Sequence, residues 1–205
     1  MIKTREHLCI LISGRGSNLL SLIESCRRKN FPAKIKLVVS DNPKAPGLKY
    51  AKQYKIPFKV ITKNFENTLL KTLDKHNIDI ICLAGFMKIL SKKFIRYSYR
   101  VIVNIHPSLL PKYKGLNTHQ RAIKNKEKFS GCTVHYVNGE LDSGNIILQS
   151  KVKIAKNETE ASLENKILKK EWVLYPRAIK QYCKEIKRYY WKIGGTAWQT
   201  KQGIL

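Results

Sequence analysis

A chain of 205 residues with 43% hydrophobic content suits one compact domain and is too apolar for a disordered one. No apolar run reaches the roughly 18 to 20 residues of a membrane span, and the polar stretch Met1 to His7 leads into a strand-like run rather than a secretory signal. The net charge of +26 suggests either a nucleic-acid or membrane field or a lysine-coated solvated surface; lysine far outnumbers arginine and is dispersed, which favours the second.

In chain order, His7 to Ser13 is a buried-strand candidate, followed by a helix carrying Leu19, Leu20, Leu22, Ile23 and Cys26. Ile35 to Val39 is a second strand, broken at Asp41-Asn42-Pro43, and Gly47 to Tyr54 a helix. Phe58 to Ile61 predicts a short third strand, Glu66 to His76 a helix, Ile78 to Leu83 a fourth strand, Lys92 to Tyr99 a basic helix and Val101 to Ile105 a fifth strand. Alternation at this spacing predicts crossover units and an α/β, Rossmann-like three-layer sandwich with a mostly parallel sheet. Continuous apolar strands agree, because parallel strands are buried on both faces.

After the helix Thr118 to Asn125 the pattern changes. Strands Thr133 to Val137 and Ile146 to Val152 are joined by the turn-rich segment 138–144, which predicts an antiparallel edge. Thr159 to Tyr189 reads as one long helix, with Pro176 as the place for a bend. The expected organisation is a single domain over 1–189 and a tail over 190–205. The five cysteines (Cys9, Cys26, Cys82, Cys132, Cys183) show no CxxC and no histidine-paired spacing. They read as reduced core thiols, which implies the cytoplasm and no metal site.

Two clusters carry chemistry. Ser13-Gly14-Arg15-Gly16-Ser17-Asn18 lies where the first strand gives way to the first helix. Glycines admit close approach of an anion and free helix-start amides point toward it; Ser17 or Asn18 could cap the helix or bond the ligand. Leu19 occupies the third glycine position of a dinucleotide fingerprint and the Walker lysine is missing, so a single phosphate fits better than NAD or ATP. The alternative is an ordinary tight turn. Next, Asn104 and His106 share one face of the fifth strand at its carboxyl end, before the proline-stiffened Pro107 to Pro111. Polar groups there need partners, structural or catalytic. Asp142, between Gly139 and Gly144, reads as a turn residue, and nothing in the spacing connects it with His106.

Together, 11–19, Leu83 to Leu90, Asn104 to Tyr113 and Glu140 to Gly144 resemble the glycinamide ribonucleotide formyltransferases, a branch of the folate-dependent formyltransferases, in order and spacing from about Leu8 to about Lys187. The resemblance implies Asn104, His106 and Asp142 as the catalytic set. It implies Gly16, Ser17 and Asn18 around the phosphate and Glu171 at the ribose or glycinamide end. It places Met87, Lys88, Ile89, Leu90 and Asn104 on the folate, with the 138–142 loop completing that pocket. Lys88 stands where many members have arginine, and an arginine found upstream in some relatives has no counterpart near Lys63 to Glu66.

The co-substrate implied is 10-formyltetrahydrofolate and the acceptor the amine of glycinamide ribonucleotide, in purine biosynthesis, by a cytoplasmic monomer or homodimer without metal or membrane. An Asn104–His106 pair would donate to the developing oxyanion, with His106 as an imidazolium favoured by Asp142. Methionyl-tRNA formyltransferases add a barrel-like domain and formyl-folate hydrolases an N-terminal one, for which this length leaves no room. A basic nucleic-acid-binding module would leave Asn104, His106 and Asp142 unexplained, and specific nucleic-acid binding is not expected.

Overall fold

The computed structural model describes residues 5–192, the side chains of 187–192 excepted. The chain runs β1 (Glu6–Ile12), α1 (Ser17–Cys26), β2 (Ala33–Ser40), α2 (Leu48–Gln53), β3 (Phe58–Val60), α3 (Phe65–Lys75), β4 (Ile80–Leu83), α4 (Lys92–Tyr97), β5 (Val101–His106), α5 (Thr118–Lys124), β6 (Phe129–Tyr136), β7 (Ile146–Lys153) and α6 (Glu160–Lys192). The strands form one sheet ordered β3-β2-β1-β4-β5-β6-β7. From β3 to β5 the pairings are parallel; β5–β6 and β6–β7 are antiparallel. This is the expected three-layer arrangement with its antiparallel edge.

Side-chain alternation divides the core. Leu8, Ile10 and Ile12 of β1 pack with Leu19, Leu22 and Ile23 of α1 and with Leu163, Ile167 and Ile179 of α6. Cys9 and Leu11 face the other way, onto Leu69 and Leu73 of α3 and Phe94 of α4. Both faces of β1 are thus fully covered, and each fully buried Leu or Ile contributes roughly 1.5–3 kcal/mol. All five cysteines are buried. Burial pushes the thiols of Cys26 and Cys132 up to about 12, far from a reactive thiolate.

Some boundaries differ from expectation for local reasons. β4 starts at Ile80 because the Asp79 carboxylate accepts the His7 amide at 2.8 Å. β6 starts at Phe129, four residues early, and includes Gly131, where a Cβ would lie 2.0 Å from the Ser150 carbonyl oxygen of β7. Neither Ser17 nor Asn18 caps α1: the cap position is Gly16, left-handed at φ 74, with no side-chain cap bond. Pro176 lies inside a helix that continues on both sides. The bond it deletes would have reached the carbonyl of Trp172, a residue on the exposed face. α6 runs to Lys192, past the boundary expected at 189, and 193–205 of the expected tail lie outside the described residues. Among the described residues no helix is long and apolar enough to cross a membrane.

Candidate active site

Strand order reverses at β1: the chain builds β2 and β3 on one side, then β4 and β5 on the other. Loops diverging from such a point leave a crevice at the carboxyl ends of the strands. Here the crevice is a cavity of about 840 Å³. Gly16, Ser17, Asn18, Met87, Lys88, Ile89, Leu90, Asn104, His106, Asp142 and Glu171, all singled out from the sequence, line it.

One end is the start of α1. With no side-chain cap, its first amides lack intrahelical partners, and Gly16, Ser17 and Asn18 line the cavity. Gly16 serves packing as well as approach: a Cβ there would sit 2.6 Å from the Gly47 Cα. Asn18 behaves differently from a phosphate ligand. Its Nδ2 donates to Glu171 Oε2 at 2.7 Å, and its buried Oδ1 has no partner. A lone acceptor repels phosphate, so only the Asn18 backbone amide suits that role; the side chain suits a hydroxyl or amide donor. Glu171 is 6% exposed, and burial pushes its pKa up to about 7, against the pull of the Asn18 bond.

The centre of the cavity is a polar network. Both oxygens of Asp142 are engaged: Oδ2 by the Gly115 amide at 2.9 Å and His106 Nδ1 at 3.3 Å, Oδ1 by Asn104 Nδ2 at 3.4 Å and His135 Nε2 at 3.6 Å. Burial alone would raise the Asp142 pKa, but contacts with His135 and Gly115 and the nearby His106 carry it below 3.8. The group is a carboxylate at neutral pH.

His106 Nε2 lies 2.8 Å from the Tyr113 carbonyl oxygen. A carbonyl only accepts, so Nε2 carries a proton, and Nδ1, facing Asp142, is the nitrogen that gains and loses the mobile one. Burial lowers the His106 pKa below 6.5, despite upward pulls from Tyr113 and Asp142. Asp142 acts on the ring in the expected direction, and desolvation opposes and outweighs it.

Sequence reasoning missed four participants. His135, 2% exposed, sits with Nε2 3.2 Å from Asn104 Nδ2 and Nδ1 2.7 Å from the Tyr136 carbonyl. A polar residue between Val134 and Tyr136 in an otherwise buried strand was the available signal. Gly115 and Tyr113 act through backbone atoms, which leave no trace in residue type. His119 lines the same cavity with its buried Nδ1 unpartnered. At the other end Met87 and Ile89 form an apolar rim, 69% and 79% exposed, and Lys88 Nζ lies 5.3 Å above the Phe65 ring.

The sequence matches the formyl transferase family over residues 6–179. It is 44% identical over 184 residues to a phosphoribosylglycinamide formyltransferase of Haemophilus influenzae, covering 86% of this chain and 87% of that one. It is 40% identical to the trifunctional purine biosynthetic protein adenosine-3 of Homo sapiens, covering 86% of this chain but 18% of that protein. The crystal structure of phosphoribosylglycinamide formyltransferase from Brucella melitensis superposes with a TM-score of 0.82 at 42% identity, covering 87% of this chain and 96% of that one. The chain thus belongs to the formyl transferase family.

Proposed function

We propose that the chain transfers the formyl group of 10-formyltetrahydrofolate to the primary amine of glycinamide ribonucleotide, a step of purine biosynthesis. The observation that carries the reading is the meeting of Asn104, His106 and Asp142 in one cavity with the uncapped α1 start at one end and the apolar 87–90 rim at the other. The residues present fit both substrates. Helix-start amides suit a phosphate, and unpartnered Asn18 Oδ1 with Glu171 suits ribose hydroxyls or an amide N–H. Met87, Ile89, Leu90 and Leu141 suit a flat heteroaromatic ring, and Lys88 an anionic tail.

When bound, formyl-folate supplies an acyl carbon for the amine to attack, and negative charge develops on its carbonyl oxygen. Asn104 is the donor best placed for that charge. Its 3.4 Å contact with Asp142 is the longer of its two Nδ2 contacts and the weaker to give up. A neutral His106 has an empty Nδ1 with which to take the proton lost by the amine, and Asp142 beside it stabilises the resulting imidazolium. That proton then goes to the folate nitrogen as the carbon–nitrogen bond to it breaks. A place in the cytoplasm is proposed on the reduced, buried cysteines.

The test is spectroscopic: mix protein, 10-formyltetrahydrofolate and glycinamide ribonucleotide and follow consumption of the formyl-folate. Turnover that requires the ribonucleotide is expected. Consumption without it would indicate a hydrolase, and consumption only with methionyl-tRNA would replace the acceptor.

A further inference from the structure

Ser13, immediately after β1, does not line the cavity, yet every polar atom it has is engaged. Its amide donates to the Gly85 carbonyl at 3.1 Å and its carbonyl accepts Asn42 Nδ2 at 3.1 Å. Its hydroxyl donates to Asp41 Oδ1 at 2.7 Å and accepts the Met87 amide at 2.9 Å. The direction of this relay is set by chemistry. A carboxylate can only accept, so the hydroxyl proton goes to Asp41 and a lone pair is left for Met87 N–H. Three segments meet at one side chain: the 13–16 loop leading into α1, the 84–90 loop after β4, and the 41–47 loop after β2. The last is tied in again by Gly47 N–H to the Gly14 carbonyl at 3.0 Å and by the Gly16–Gly47 backbone contact.

We propose, on the substrate reading given above, that Ser13 with Asp41 is a positioning pair that couples the ribonucleotide and folate halves of the site. Phosphate at the α1 amides orders the 13–16 loop, Ser13 transmits that order to the Met87 amide, and the folate rim is set before folate arrives. Linkage makes the effect reciprocal: each substrate tightens the other by the same factor. Asp41 acts through Ser13 rather than on a ligand, since it supplies the acceptor that aims the hydroxyl.

The experiment measures the dissociation constant of tetrahydrofolate by calorimetry, with and without saturating glycinamide ribonucleotide. In the unaltered protein the ribonucleotide should tighten tetrahydrofolate on the order of 5-fold or more, the usual lower scale of site coupling. Ser13→Ala should bring that ratio to about 1 and raise both KM values while kcat at saturation stays within about twofold, because the reacting groups are untouched. Asp41→Asn, which keeps an acceptor oxygen, should retain the ratio, and Asp41→Ala should lose it. Should Ser13→Ala fail to fold, the Asp41 pair carries the same test. An unchanged ratio in folded Ser13→Ala, or a ratio of 1 in the unaltered protein, overturns the coupling alone. No binding of either compound overturns the substrate assignment and the coupling with it.

Discussion

Replacing Glu171 by Gln should stabilise the protein above pH 7 and leave its stability unchanged near pH 4.5. The carboxyl is buried against Asn18, and burial pushes its pKa from 4.5 to about 7. Between those values the folded protein holds a proton that the unfolded chain has released. The stabilising effect is therefore complete below about pH 4.5 and is lost as pH rises through about 7. The distance from 4.5 to about 7, at about 1.36 kcal/mol per pH unit, makes that loss roughly 3 kcal/mol. Gln is neutral throughout, and its amide oxygen can still accept the Asn18 N–H. For a chain of this length roughly 3 kcal/mol corresponds to about 6 to 12 °C in Tm. Melting curves of both proteins from pH 4.5 to 8.5 should coincide at the acid end and diverge by about that amount at the alkaline end. Parallel curves would refute the reasoning, since they would mean that the Glu171 carboxylate pays no desolvation penalty in the folded state.

Asp142→Asn should lower turnover by a factor on the order of 10² or more with smaller changes in KM. Combined with His106→Asn it should be scarcely worse than His106→Asn alone, because Asp142 acts through the proton that Nδ1 of His106 receives, 3.3 Å from its Oδ2; steady-state kinetics of the three variants decide, and multiplicative losses would separate the two residues. Gly16→Ala should destabilise by roughly 1–2 kcal/mol for the left-handed backbone alone. The collision with Gly47 should add to that and raise the KM for the ribonucleotide more than that for folate. An unaltered Tm would show that the Gly16–Gly47 contact yields freely.

Periodicity carried most of the fold. The runs around Leu8 to Ile12 and Ile80 to Leu83 are apolar on both faces, and only a strand covered by helices on both sides can bury them. The shift to a turn-rich connection after Tyr136 signalled the antiparallel edge for an equally local reason. Asn104 and His106 were legible as partners because they are two residues apart on a strand.

Asp142 was legible as part of a site only through family resemblance. Its place depends on β6 lying beside β5 and on the connection after β6 returning to that strand, neither of which is encoded near residue 142. His135 was hidden because register, not spacing, sets it opposite Asn104. The protonation states lay beyond sequence altogether. His106 next to Asp142 reads as a charged pair until burial is counted, and Glu171 reads as an ordinary helix carboxylate until α6 is packed against α1. The chain by itself determined its elements and their order, because those follow from local sterics and the period of its apolar residues. Tertiary packing decided which groups meet and which are charged, because desolvation acts only once the chain has closed around them.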